Sequence, residues 1–277
     1  MAAKNAEQMT NSVSPDISKR LLYVKYLLSR AKPANADRND LSVAVSLLLI
    51  HDAIEMLMLA VVEHLQVPMP KKWDFMDFWT EIGKHHTEPP QRILMDALNN
   101  MRVGLKHKGN LPNPHRVRDL LPRIEVFCED VAKMYIQIDL AELSLADLVA
   151  DDEVRNTLRK ARQAFLPGDK NDAFVNVRIA FDKLLRQSSS DTSLIREPRT
   201  REALQNTVLE SVRILNILML GIDAARYRFF VANTPQTVWT ISGKCQVNIQ
   251  RDYNRVLDAV FETCFEFVVD VALNASR

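Results

Sequence analysis

Apolar side chains recur at helical spacing along almost the whole chain, in segments written largely in Ala, Leu, Met, Glu, Lys and Arg. The pattern predicts helices over 17–32, 40–66, 73–83, 90–108, 115–148, 152–165, 172–187, 200–231 and 250–274. Their ends are punctuated. Asn113 followed by Pro114 reads as a cap with proline at the first helical position, Lys108-Gly109-Asn110 as a helix stop, and Leu166-Pro167-Gly168-Asp169 as a break. Asp151-Asp152-Glu153 opens a segment that turns basic at Arg155, Arg159, Lys160 and Arg162, the polarity a helix dipole favours. One stretch departs from this period. In Thr237 to Ile249 two β-favouring runs flank Ser242-Gly243-Lys244, as in a short hairpin. The polar run Gln187 to Thr200 reads as an exposed loop.

The expected fold class is therefore all-α, in two antiparallel helical bundles, after a flexible tail at 1–17. The bundles span 18–150 and 151–277, and their sequences run in parallel. His51-Asp52-Ala53 in an apolar helix corresponds to Phe181-Asp182-Lys183, Arg102 to Arg226, and Asn110-Leu111-Pro112 to Asn233-Thr234-Pro235, each followed by a long helix carrying Phe127-Cys128 or Phe261 and Cys264. The reading is an internal duplication packed as a pseudo-dimer.

Composition narrows the function classes. The 277 residues include only six glycines, and 36 Lys+Arg offset 35 Asp+Glu to leave a formal charge of +1, so no global field draws the protein to nucleic acid or membrane. Cys128, Cys245 and Cys264 form no CxxC pair and no disulfide framework, which fits a reducing compartment. The N-terminus lacks the basic start and apolar block of a secretory signal. The uncharged apolar runs Leu41 to Ile50 and Ile214 to Ile222 are about half a bilayer span, hence core helices. The expected location is cytoplasmic, with no membrane partner.

Charge is concentrated at one place. Residues 100–123 hold Arg102, Lys106, Lys108, Arg116, Arg118 and Arg123 against Asp119 alone, a local formal charge of about +5 that attracts a polyanion. Within it, Arg102-Val103-Gly104-Leu105-Lys106-His107 is an R-x4-H arrangement near a helix end. Five positions along an ideal helix rotate a side chain by about 140°, so Arg102 and His107 converge only if the helix loosens, which Gly104 permits, or if a second helix closes the site.

In its helical layout and in Arg102 and His107, the segment 18–150 resembles the HEPN superfamily, four- or five-helix bundles that dimerise and often use an R-x4–6-H motif as a metal-independent ribonuclease. The resemblance implies RNA as substrate, no cofactor, and a setting in toxin–antitoxin, antiviral defence or stress systems with a cognate inhibitor protein. His107 would move the proton of the ribose 2′-hydroxyl and Arg102 would hold the phosphate oxygens. Lys106, Lys108, Arg116 and Arg118 would attract the backbone, and Asp52, Glu55 or His51 would orient Arg102 or His107 from the facing helix. Val103, and Lys108-Gly109 where one toxin branch carries tyrosine, depart from the family pattern and argue against that branch. The second copy keeps Arg226 but has Val231 in place of histidine, so it reads as degenerate, with Arg226 assisting across the seam. Self-association follows either from a homodimer or from the internal pseudo-dimer.

Other constellations are weaker. His85-His86 before Glu88-Pro89-Pro90 reads as a solvated loop, Gly83-Lys84 is no phosphate loop, and neither an HExxH motif nor a cluster of metal-spaced His, Cys or carboxylates stands out, so no metal is expected. The competing reading is a non-enzymatic helical scaffold or sensor that binds a protein or nucleic-acid partner without turnover. A helical small-molecule enzyme has no supporting constellation.

Overall fold

A computed structural model describes residues 13–37, 39–188, 223–239 and 245–275. The chain divides into two compact units, Met1–Leu143 and Ser144–Arg277, with the boundary a little before the expected 150. Each is built from helices, and the all-α class is borne out.

In the first unit α1 (Pro15–Ala36) and α2 (Asp40–Leu65) form an antiparallel hairpin, joined by α3 (Asp77–His85), α4 (Arg92–Lys108) and α5 (Pro114–Val131). α1 starts earlier than expected because Ser14 caps it, its hydroxyl accepting the Ile17 amide at 3.3 Å, and Pro15 suits the first turn. Residues 15–17 of the expected tail therefore belong to α1, and residues 1–12 of it lie outside the described residues. α2 runs as expected until Gln66, whose left-handed backbone (φ 55°) ends it. Leu47, Ile50, Ile54, Leu57 and Val61 of α2 are buried together with Leu21, Val24 and Leu28 of α1 and Ile124, Phe127 and Cys128 of α5. Each large apolar side chain so buried contributes about 1.5–3 kcal/mol. By length and composition α2 could cross a membrane, over a longer apolar window than its uncharged run suggests, but 56% of that window is buried inside the protein. An aromatic chain from Trp73 through Phe78, with Phe75, Trp79 and Phe127 beside it, seats α3, and the Trp79 indole donates to the Pro90 carbonyl at 3.1 Å.

The helix expected over 115–148 is not continuous. α5 gives way to a π turn at Ala132–Ile136, and Gln137 (φ 61°) stops it in the left-handed region. The chain then turns because the Lys25 ammonium, reaching from α1, gathers the carbonyls of Leu140 and Leu143 at 2.8 and 2.5 Å, and the Asp139 side chain accepts the Ala141 amide. Such a tertiary anchor has no local sequence signal.

In the second unit a short 3-10 turn (Leu145–Leu148) precedes α6 (Asp152–Phe165), which matches its expected range, and the antiparallel α7 (Lys170–Ser188). α8 (Ala224–Asn233), the strands β1 (Gln236–Trp239) and β2 (Cys245–Asn248), and α9 (Asp258–Ala275) complete the described part. The strands pair antiparallel from Gln236 opposite Asn248 to Trp239 opposite Cys245, as the two β-favouring runs predict. α9 begins later than the expected 250, because Asp252 folds its side chain onto the Asn254 amide at 3.1 Å and starts a 3-10 turn instead. Most of the expected helix 200–231, the run Ile214 to Ile222, the greater part of the loop 187–200 and the turn Ser242-Gly243-Lys244 lie outside the described residues.

Candidate functional site

α4 carries the R-x4-H motif. It ends at Gly109, which adopts φ 67° while its amide donates to the Leu105 carbonyl at 3.1 Å, with Asn110 donating to Gly104 at the same distance. Lys106, His107 and Lys108 occupy the last turn and are exposed, where the carbonyl end of the helix favours cations. α4 stays regular through Gly104, so the loosening that glycine would permit does not occur. Arg102 and His107 consequently stand about 140° apart around the axis, and α4 by itself does not bring them together. Arg102 is half-buried, and its Nε is shielded from solvent with no hydrogen-bond partner.

The facing helix supplies the polar groups that the sequence singles out. His51, 1% exposed, lies in α2 with its ring 4.3 Å from that of Phe75, and its Nε2 is 3.3 Å from the side-chain oxygen of Asn99 on α4. That oxygen only accepts, so the neutral ring carries its proton on Nε2 and its lone pair on Nδ1. Nδ1 is buried and has no hydrogen-bond partner; the nearest carboxylate oxygens, Asp52 Oδ1 and Glu55 Oε2, are each 3.8 Å away. Burial lowers the His51 pKa, and the nearby positive charge of Arg102 lowers it further, against the smaller raising effects of Asn99 and Asp52. The Arg102 charge is thus felt at His51, while the Asp52 and Glu55 side chains are 55% and 34% exposed.

The ligand atoms of His51, Asp52 and Glu55 lie within 4.8 Å of one another, an arrangement able to hold a metal ion. This corrects the expectation that the chain has no cluster of metal-ligating groups. Positions i and i+4 share a helix face, and the side chain at i+1 folds in beside them. Asn99 and Phe75 were missed as site residues. For Asn99 a signal existed, since it precedes Arg102 by one helical turn and so shares its face.

The basic residues divide by role. Lys106, Lys108 and Arg116 are exposed. Arg118 instead donates to the carbonyls of Asn35 and Asp37 at 3.2 and 2.9 Å, tying the start of α5 to the end of α1. In the second unit Arg226 pairs with Asp270 at 2.7 Å, with its guanidinium 5.8 Å above the Phe267 ring. Asp182 is buried, bonded to Arg178 at 3.2 Å and accepting the Thr237 hydroxyl. Asp182 and Arg226, which the sequence aligns with Asp52 and Arg102, are thus engaged in ion pairs, and the fold does not itself show the expected duplication. His85 and His86 are exposed, and Cys128 and Cys264 are buried, with the Cys264 thiol pushed up to about 12 by desolvation.

Fold and site together define an all-α protein of two units, one of which carries a cationic motif helix backed by a buried histidine. No protein-family model matches the chain, and no curated protein or solved structure matches it significantly.

Proposed function

We propose that the chain is a cytoplasmic HEPN-type RNA effector whose first unit cleaves RNA, with Arg102 and His107 as the catalytic pair. The observation that supports this reading is α4 itself: its last turn exposes Lys106, His107 and Lys108 together, about one turn beyond Arg102, whose charge is felt at the buried His51 of α2. A polyanion drawn to that end meets both a fixed positive charge and an imidazole.

In this reading His107 takes the proton of the ribose 2′-hydroxyl, and the resulting alkoxide attacks the adjacent phosphorus. Arg102 holds the non-bridging oxygens as charge builds on them, and the 5′-oxygen leaves with a proton returned from imidazolium. The products end in a cyclic phosphate and a 5′-hydroxyl. Because regular α4 keeps the two side chains about 140° apart, the cleft needs a second helix, which a second copy of the chain supplies by setting its His107 opposite Arg102. A cognate inhibitor protein would act by covering this end of α4.

A non-enzymatic module remains the second reading, favoured by Val103 and by the commitment of Arg226 to Asp270. Both readings meet in one assay. Purified full-length chain is incubated with labelled RNA in a metal chelator, and cleavage is expected, lost in Arg102→Ala and His107→Ala with helical content unchanged. Cleavage undiminished in His107→Ala removes the catalytic assignment. Salt-dependent RNA binding with no cleavage in the wild type assigns the chain to the binding module.

A further inference from the structure

We propose that His51, Asp52 and Glu55 form a binding site for one divalent first-row transition ion on the edge of α2.

The proposal begins with the His51 ring. Its Nε2 is committed to Asn99, which fixes the tautomer, and its Nδ1 lone pair is buried with no donor to meet it. In the neutral ring this lone pair faces two carboxylate oxygens at 3.8 Å, an arrangement that a cation in the space between them would stabilise. Histidine ligands characteristically donate their other ring N–H to an oxygen, and Asn99 provides that second contact.

The distances suit an ion. Bonds of about 2.0–2.2 Å place neighbouring ligand atoms roughly 3–3.5 Å apart, so the 3.8 Å pairs need to close by a few tenths of an ångström and the widest, within 4.8 Å, by about an ångström, which side-chain rotation of the two carboxylates supplies. Asp52 and Glu55 can make it, since neither has another ion pair among the described residues. Asp52 and Glu55 carry two negative charges against the single positive charge of Arg102, so the net charge still attracts a dication. One imidazole nitrogen with two carboxylate oxygens selects zinc, cobalt or manganese over the all-oxygen ions magnesium and calcium. Exposure of Asp52 leaves the remaining coordination positions open to water.

The test uses the full chain, stripped with a chelator and titrated with Zn²⁺ against a chromophoric competitor and with Co²⁺ by visible absorption. One equivalent is expected to bind. Asp52→Asn and Glu55→Gln should each weaken binding roughly 10-fold or more with helical content unchanged. These two variants carry the test because removing the His51 ring would also open a gap beside Phe75. A paired variant, His85→Ala with His86→Ala, should bind as the wild type does. Absence of saturable Zn²⁺, Co²⁺ and Mn²⁺ binding overturns the proposal, as does binding that survives both carboxylate variants or disappears with His85 and His86. The proposal does not rest on RNA cleavage: His107→Ala should keep the ion, whatever its effect on RNA.

Discussion

Gly104→Ala asks whether the motif helix must loosen. Gly104 lies in the interior of α4, one turn before the Gly109 stop, and a Cβ built on it meets no atom within 4 Å. Neither strain nor collision therefore offsets the gain from replacing glycine in a helix, which is about 0.8–1.0 kcal/mol at an interior position and nearer 0.5 kcal/mol this close to the fraying end. Converted through RT, that range raises amide protection about two- to fivefold. Hydrogen exchange read by mass spectrometry on peptides covering residues 101–108 measures it locally, free of the assumption that two units unfold together. The same variant discriminates between two ways of completing the Arg102–His107 site. A site closed by a second helix around a regular α4 keeps its RNA cleavage, whereas one that needs the helix to open at Gly104 loses it as the helix stiffens. Faster exchange over 101–108 in Gly104→Ala would refute the regular helix, and slower exchange with lost cleavage would refute closure by a second helix.

Two further outcomes follow from groups buried with charge at stake. His51 has its pKa lowered in the folded chain, so the unfolded chain takes the proton first; stability is fully present above 6.5 and declines as pH falls below it, by at most about 1.4 kcal/mol per pH unit. Urea unfolding should show that decline in the wild type and a flatter profile in His51→Gln, and identical profiles would remove His51 as the cause. Asp182→Ala leaves the Arg178 guanidinium buried without its carboxylate and should cost about 3–5 kcal/mol in the same assay. A loss below about 1 kcal/mol would mean that water reaches Arg178.

What could be read from the chain was local. α6 was legible because Asp151 caps it, accepting the Val154 amide at 2.7 Å, and because acid precedes base along it. The start of α5 was legible from Asn113 and Pro114, and the hairpin from its two β-favouring runs. What escaped was tertiary. Gln137 in the left-handed region has no residue-type signal comparable to glycine, and the lysine that draws the carbonyls of Leu140 and Leu143 lies more than a hundred residues away in sequence. In the site, the polar residues of α2 stood out against an apolar helix, and Arg102 stood out by charge. The direction of the His51 ring depends on Asn99 and Phe75, from two other segments, and no spacing within α2 reveals it.

The two units differ in how their charged groups are partnered. In the second unit Arg226 is satisfied by Asp270, and Asp182 by Arg178 and Thr237. Such pairs are costly to break and add rigidity, which is what a structural role requires. In the first unit the facing helices α2 and α4 leave His51 Nδ1 and Arg102 Nε buried without hydrogen-bond partners, as Arg162 Nε is in the second unit. A buried polar atom left unpaired costs about 1–3 kcal/mol, and two of them lie within one pair of facing helices. Ligands that complete the site would remove that cost, and the exposed cationic end of α4 lies beside it. The cation would meet Nδ1 on α2 and the phosphate would meet Arg102 on α4, so each atom left wanting by the fold has a ligand of the opposite character.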